Sequence, residues 1–140
     1  MLRSVLVLAT LAAAASAQCS SLTVTGSGAP GTTLTVALDG TSPNAFAFLV
    51  LGNTQGTTTI NFGALGTLTL GLAAPFTPAP IGMTNLQGDV SMTIQVPSNL
   101  PVGGVDLFAQ GVTLGLQFTP PTPPSFSFCA SNVAGFHIGN

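Results

Sequence analysis

The side chains that could do acid–base chemistry are one histidine and three aspartates: His137, Asp39, Asp89 and Asp106. A serine hydrolase would need the histidine beside a serine, with an aspartate to orient the imidazole. The sequence has no Gly-x-Ser-x-Gly nucleophile motif. In the alternating segment 135–139, His137 points away from Phe136 and Ile138. We therefore expect a surface histidine and no enzyme, with a small hydrolase that uses His137 as the least favoured alternative.

Metal and cofactor sites have little support in the sequence. Calcium prefers oxygen ligands, but Asp39 and Asp89 each adjoin a glycine, as in turns where the carboxylate accepts hydrogen bonds from nearby backbone. Residues 26–31 match Gly-x-Gly-x-x-Gly, yet a strand pattern follows where a dinucleotide site needs a helix. Residues 52–56 contain no lysine that could contact a phosphate. We predict no metal and no cofactor, and leave open whether an aspartate binds calcium.

The composition excludes several classes of partner. Only 3% of the 140 residues are charged, whereas a typical domain has about a quarter. Nucleic acids and anionic membranes are bound through clustered lysine and arginine, and Arg3 is the sole basic residue of this kind. Neither is therefore an expected partner.

The first residues have the pattern of a signal peptide. After Arg3 comes an apolar run, residues 5–15, and then the small-x-small sequence Ala15-Ser16-Ala17. We expect cleavage between Ala17 and Gln18, which makes residues 1–17 a signal helix outside the fold and residues 18–140 one secreted domain. The run is shorter than the ~20 residues that span a bilayer, so we predict no transmembrane anchor. The expected location is extracellular or the outer cell envelope.

The two cysteines, Cys19 and Cys129, stand near the two ends of the expected mature chain. An even number of cysteines in an exported protein indicates a disulfide. Closing a loop of this size stabilises the fold by about 4 to 5 kcal/mol in the chain-entropy model. Two unpaired thiols, or a lipid on Cys19, are the alternatives, although lipidation needs a small residue where Gln18 stands.

Hydrophobic residues recur with a period of two, which is the pattern of half-buried strands. About nine short strands are expected, at residues 22–25, 33–38, 46–51, 67–72, 89–96, 105–110, 112–118, 126–129 and 135–138. Such a series predicts an all-β fold, an antiparallel β-sandwich of immunoglobulin-like or jelly-roll-like kind, with a barrel left open. Residues 45–51 are continuously apolar, as in a central strand covered on both faces. The proline-rich segments 73–80 and 120–124 are expected to be loops.

Threonines occur in four Thr-x-Thr pairs, Thr23/Thr25, Thr33/Thr35, Thr57/Thr59 and Thr67/Thr69. Each pair places two hydroxyls on one face of a strand. Such faces could bind a glycan or ice. Threonine is also a good strand former, and here it is one of few polar residues available for an outer face.

Three stretches together resemble a family of small secreted β-sandwich modules that recur in exported proteins of Planctomycetes. They are residues 43–52 (Pro-Asn-Ala-Phe-Ala-Phe-Leu-Val-Leu-Gly), residues 89–102 with the strand that ends in Ile94-Gln95-Val96-Pro97, and residues 131–140, from Ser131-Asn132 to the terminal Gly-Phe-His-Ile-Gly-Asn. The resemblance implies a cysteine-framed sandwich and export, and it transfers no functional residue. Members often have a further cysteine pair, where this chain has Ala29 and Met83.

Taken together, these features predict a non-catalytic extracellular structural or interaction module. The near-neutral composition favours association, so we expect self-association, or a protein or polysaccharide partner outside the cell. Glycan or ice binding through the threonine faces is the alternative. The ligand, the oligomeric state and the strand order are left open.

The processed protein should not be cleaved by trypsin, because no lysine or arginine follows Arg3. We expect the chain to survive prolonged digestion even after heating and reduction. Intact-mass measurement before and after trypsin checks this, with chymotrypsin as the positive control for unfolding. Tryptic fragments of the purified exported protein would contradict cleavage after Ala17.

Overall fold

The computed structural model describes residues 19–118 and 120–140, and in this part nine strands dominate. The predicted signal helix and the Ala17/Gln18 cleavage site lie outside the described residues. The strands are β1 (Ser21–Thr25), β2 (Thr33–Asp39), β3 (Phe46–Gly52), β4 (Gln55–Asn61), β5 (Thr67–Leu72), β6 (Phe76–Met83), β7 (Val90–Gln95), β8 (Val105–Gln117) and β9 (Ser125–Ile138). A short 3-10 turn, Gly63–Leu65, joins β4 to β5.

The strands form three layers. A four-stranded sheet in the order β6-β3-β8-β9 lies in the middle, with the sheet β1-β2-β7 on one face and the hairpin β4-β5 on the other. Every strand pair is antiparallel. This confirms the predicted antiparallel sandwich, and the hairpin adds a third layer to it.

Strand β3 has apolar side chains on both faces because both are covered. Ala47 and Leu49 pack into a first core with residues of β1 and β2. Val50 and Phe48 point the other way, into a second core with Leu68, Leu70 and Leu72 of β5. Burying one such side chain fully stabilises the fold by about 1.5 to 3 kcal/mol. The prediction of a central strand at residues 45–51 is therefore confirmed.

A bulge in β9 connects the central sheet to its neighbours. Val112 pairs with Ala130 and Gln110 pairs with Val133, so two residues of β9, Ser131 and Asn132, stand opposite one residue of β8. The Ser131 Oγ accepts a hydrogen bond of 2.8 Å from the backbone N–H of Gly111 and donates one of 2.7 Å to the Asn132 carbonyl. The Ser131 hydroxyl thus supplies hydrogen-bond partners for the Gly111 N–H and the Asn132 carbonyl where the bulge interrupts the regular ladder.

The buried Gln110 links this bulge to the hairpin layer. Its Oε1 accepts a hydrogen bond of 2.8 Å from the N–H of Gly71 in β5, and its Nε2 donates one of 2.8 Å to the Ser131 carbonyl. One amide side chain therefore pairs with the backbones of two layers.

Asn132 links the bulge to β1 in the other layer. Its Oδ1 accepts a hydrogen bond of 2.8 Å from the N–H of Leu22, and its Nδ2 donates one of 3.1 Å to the carbonyl of the same residue. Next to it, the N–H of Cys19 donates to the Ala130 carbonyl at 3.2 Å. The structure also has the Cys19–Cys129 disulfide that the sequence predicts, with Cα atoms 5.7 Å apart.

Some predicted strand boundaries are wrong. Residues 73–80 were expected to be a loop, but Phe76–Met83 forms β6, whose Pro78 and Pro80 are tolerated because β6 is at the edge of its sheet. Strand β4 was not predicted, because its mostly polar residues show little apolar alternation. The segments 105–110 and 112–118 form one strand, and 126–129 and 135–138 form another, each continuing through residues that the pattern left out. Residues 120–124 do connect strands, as predicted.

No helix within residues 19–118 and 120–140 is long and apolar enough to cross a membrane.

Replacing Gln110 by methionine should destabilise the fold. The substitution keeps the length of the side chain but leaves the Gly71 N–H and the Ser131 carbonyl without partners. We expect the free energy of unfolding to fall by about 2 to 6 kcal/mol, because two groups lose their partners at about 1 to 3 kcal/mol each. Urea unfolding measures this. The exposed Gln95 is the matched control, and Gln95→Met should change stability by less than about 0.5 kcal/mol; equal losses would contradict the role of Gln110.

Candidate binding face

The outer side of the sheet β1-β2-β7 is a continuous polar face, here called the hydroxyl face. Antiparallel register aligns its side chains in rows across the strands. The rows are Thr25–Thr35–Thr93, Thr23–Ala37–Ser91, Thr33–Gln95 and Ser21–Asp39. All of these side chains are exposed except that of Ala37, which is half-buried.

The hydroxyls face outward because the alternate residues fill the core. In β2, Leu34, Val36 and Leu38 are buried, and successive side chains of a strand point to opposite faces. Threonine also fits here because its branched Cβ suits a strand. The sequence alone placed two Thr-x-Thr pairs on strand faces, and the strand order brings both pairs onto this one surface.

The geometry of the hydroxyl face is regular. Neighbouring strands lie about 4.8 Å apart, and residues on the same face of one strand repeat about every 6.8 Å. Within the described residues, no hydrogen bond uses the side-chain hydroxyls of Thr23, Thr35 or Thr93, while Thr25 Oγ1 donates to the Thr35 carbonyl at 3.5 Å. A partner could therefore find free donors and acceptors in rows. The one formal charge, on Asp39, lies at the end of the face.

Asp39 and Asp89 lie near each other at this end of the sheet. Together with Asn85 and Ser91 they border an open hollow of about 370 Å³. Asp89 contributes to local turn structure, since its Oδ1 accepts a hydrogen bond of 3.4 Å from the Gly40 N–H. In the part of the chain that the structure describes, no three histidine, cysteine or acidic residues are grouped as a metal site would require. The Asp89 carboxylate therefore contacts the backbone of the turn that follows Asp39.

The other two Thr-x-Thr pairs lie on the opposite side of the molecule. Thr57 and Thr59 belong to β4, and Thr67 and Thr69 to β5. Thr59 and Thr69 are direct cross-strand neighbours, with their hydroxyl oxygens 3.3 Å apart in a hydrogen bond. This second threonine surface is smaller, because the hairpin has two strands where the hydroxyl face has three.

His137 pairs with Asp106. The two residues are directly opposite in β9 and β8, and the histidine Nδ1 lies 2.7 Å from the aspartate Oδ1. Both side chains are exposed, at 46% and 78%. They border a shallow hollow with Leu107, Phe108, Gly135 and Phe136, a set that contains no hydroxyl or thiol. His137 is thus at the surface, as predicted. It pairs with Asp106, one of the three aspartates considered for a catalytic triad, and no serine is among the described residues that line this hollow.

The glycine-rich segment 26–31 is a turn that packs on the end of β9. Gly28 has a positive φ of 72°, and a Cβ there would collide with the His137 carbonyl oxygen. Its own carbonyl accepts a hydrogen bond of 2.8 Å from the Gly139 N–H. Strand β2 follows this turn, as the sequence indicated. Gly28 therefore allows the close approach of this turn to the backbone of β9.

Comparison of the chain with protein-family models, with curated proteins and with solved structures found no match. The assignment of the hydroxyl face therefore depends on the residues of this chain. The resemblance to the secreted modules remains a prediction. The sequence predicts the threonine pairs on strand faces, but the order of the strands that brings them together is not visible from spacing.

Breaking the His137–Asp106 pair should have little effect on stability. An exposed ion pair contributes about 0 to 1 kcal/mol, so His137→Gln should lower the free energy of unfolding by less than about 1 kcal/mol. Urea unfolding of this variant, beside Asp106→Asn, provides the measurement. A loss as large as that expected for Gln110→Met would instead give the pair a main structural role.

Proposed function

We propose that the protein is a non-catalytic extracellular interaction module that binds a neutral, hydroxyl-rich polymer, a polysaccharide, through the hydroxyl face. The observation that carries the proposal is the set of in-register rows of exposed threonine and serine across three strands. A hydroxyl donates one hydrogen bond and accepts two. Rows of them therefore suit a partner that is itself covered with hydroxyls.

The charge distribution favours a neutral partner. A charged ligand is usually drawn in by a surface of opposite sign, and the hydroxyl face has only Asp39 at one end. Affinity must then come from many weak contacts, since each hydrogen bond contributes about 0.5 to 1.5 kcal/mol net. A polymer that extends along the rows makes many such contacts, whereas a single sugar makes few.

The expected location agrees with this partner. A disulfide between the two ends of the domain suits an oxidising compartment outside the cytosol, and residues 1–17 have the pattern of an export signal. We therefore propose that the module acts outside the cell or at its envelope.

Removing two hydroxyls from the central row should weaken binding to an insoluble polysaccharide. The double variant Thr35→Val/Thr93→Val keeps the branched Cβ on both strands and removes adjacent hydroxyls. We expect its dissociation constant in a sedimentation assay to rise about tenfold, which corresponds to about 1.4 kcal/mol. Cellulose, chitin and an uncharged bacterial glucan are the polymers to test.

The matched control is Thr59→Val/Thr69→Val, which removes the adjacent pair from the hairpin surface. This variant should bind as the unmodified protein does. If the control loses binding and the first variant does not, the hairpin surface is the binding site and the proposal for the hydroxyl face is wrong. Absence of binding to every neutral polymer would reject the polysaccharide itself.

Ice is a second candidate ligand, favoured by the regular spacing of the threonine rows. A repeating lattice needs contacts that recur at fixed intervals in two directions, and a sheet face supplies both the interstrand and the along-strand repeat. The variants Thr35→Val/Thr93→Val and Thr59→Val/Thr69→Val distinguish the faces in an ice-recrystallisation assay as well.

A further inference from the structure

A second exposed surface lies on the other side of the central sheet, and it is apolar. It consists of six side chains that each leave between 39% and 67% of their surface exposed: Phe46, Phe62, Met83, Leu116, Phe118 and Phe126. We call it the apolar face. It is independent of the hydroxyl face and of any polysaccharide bound there.

The strand register makes this face continuous. Phe46 is directly opposite Met83 in β6 and Leu114 in β8, and Leu116 is directly opposite Phe126 in β9. Residues two apart in a strand share a face, so Leu114 connects the first group to the second. Phe62 joins the surface by stacking on Phe128, with ring centroids 4.7 Å apart.

The hairpin layer ends at the edge of this part of the sheet, where Phe62 stacks on Phe128. Phe128 and Val112 belong to the core beneath β4-β5, but β8 continues to Gln117 while its last partner in β3 is Phe46, opposite Leu114. The ends of β8 and β9 therefore project beyond the sandwich. The side chains there point to the same side of the central sheet as those of the second core, but no other strand of the described residues covers them.

The exposed area is close to what a dimer requires. With about 200 Å² for each full side chain, the six leave roughly 600 Å² of apolar surface open. A standard-size interface buries about 800 Å² on each partner, and monomers rarely expose a larger apolar patch than this. The polar residues around the six side chains would supply the remainder as a rim.

The chemistry of the face suits a second copy of the same chain. The carboxylates of the described residues lie elsewhere: Asp39 and Asp89 border the first sheet, and Asp106 is at the opposite end of β8. Two copies would thus meet without bringing like charges together. Two sheet faces pack about 10 Å apart with interleaved side chains. In a dimer with twofold symmetry, the same patch of each copy contacts the same patch of the other.

We propose that the protein forms a homodimer through the apolar face, with the projecting ends of β8 and β9 at its centre. The hydroxyl face lies on the other side of the central sheet, so the dimer would present two hydroxyl faces that point away from each other. Such a dimer could bridge two polymer chains, or gain affinity from two contacts on one surface.

Sedimentation velocity of the purified protein tests the proposal at concentrations from about 1 to 100 µM, where interfaces of this size can dissociate. We expect a monomer–dimer equilibrium. Leu116→Ser/Phe126→Ser should raise the dissociation constant at least about tenfold for each substitution. The effect is large because each side chain occurs twice in a twofold-symmetric interface, once from each copy, and both are replaced. Val102→Ser is the matched control, since Val102 is fully exposed in the turn before β8, away from the apolar face, and should leave the equilibrium unchanged.

Circular dichroism verifies that the double variant is folded. If the double variant does not fold, the single variant Leu116→Asn is used in its place. A monomer at the highest concentration would overturn the proposal, as would a dimer that the substitutions on the apolar face leave intact. Flotation with phosphatidylcholine vesicles distinguishes another occupant. A monomeric protein that binds these vesicles through Leu116 and Phe126 would assign the face to a lipid surface and not to a second copy.

Discussion

The bulge at Ser131 and Asn132 is the point on which the three-layer arrangement depends. On one side, Asn132 pairs with the backbone of β1 at Leu22. On the other, the Ser131 carbonyl holds Gln110, which in turn pairs with β5. The disulfide at Cys129 lies two residues before the bulge and fixes Cys19, which precedes β1, to the same strand. In a regular strand Ser131 and Asn132 would not both stand opposite Gly111, so the bulge lets adjacent residues of β9 pair with groups on both sides of the central sheet.

The scarcity of charge means that amides and hydroxyls must satisfy the buried polar groups. Among the described residues, every buried side-chain nitrogen or oxygen has a hydrogen-bond partner, which matters because an unpaired buried group costs about 1 to 3 kcal/mol. Thr84 illustrates this: its Oγ1 accepts from the Ala45 N–H and donates to the Ser42 carbonyl. Neutral side chains meet the requirement without the desolvation cost of burying an ion. The same composition leaves hydroxyls as the main polar groups of the outer faces.

Local patterns in the sequence were sufficient for the fold class and for most strands, because alternation reports which face of a strand is buried. They predicted the central position of residues 45–51. They could not predict β4, whose polar residues lack alternation, or β6, whose prolines are compatible only with an edge. The layers themselves depend on strand order and on the pairing of Gln110 and Asn132 with distant backbone, which spacing along the chain does not encode. The apolar face was missed for the same reason: Phe46, Leu116 and Phe126 are far apart in sequence, and only the register brings them together.

The two exposed surfaces follow from one physical constraint. The hydroxyl face is the outer side of the sheet β1-β2-β7, and the apolar face is the part of the central sheet that the hairpin leaves uncovered. Both consist of uncharged side chains, because charged residues are almost absent from this sequence. Electrostatic contacts act over a distance of about 10 Å at moderate salt and weaken as salt is added, whereas hydrogen bonds between neutral groups and apolar contacts act only when the surfaces touch. A partner of the kind proposed above would therefore be recognised by shape and by repetition of short-range contacts. The rows of Thr25, Thr35 and Thr93 provide such repetition on one side, and the paired Leu116 and Phe126 provide a compact apolar contact on the other.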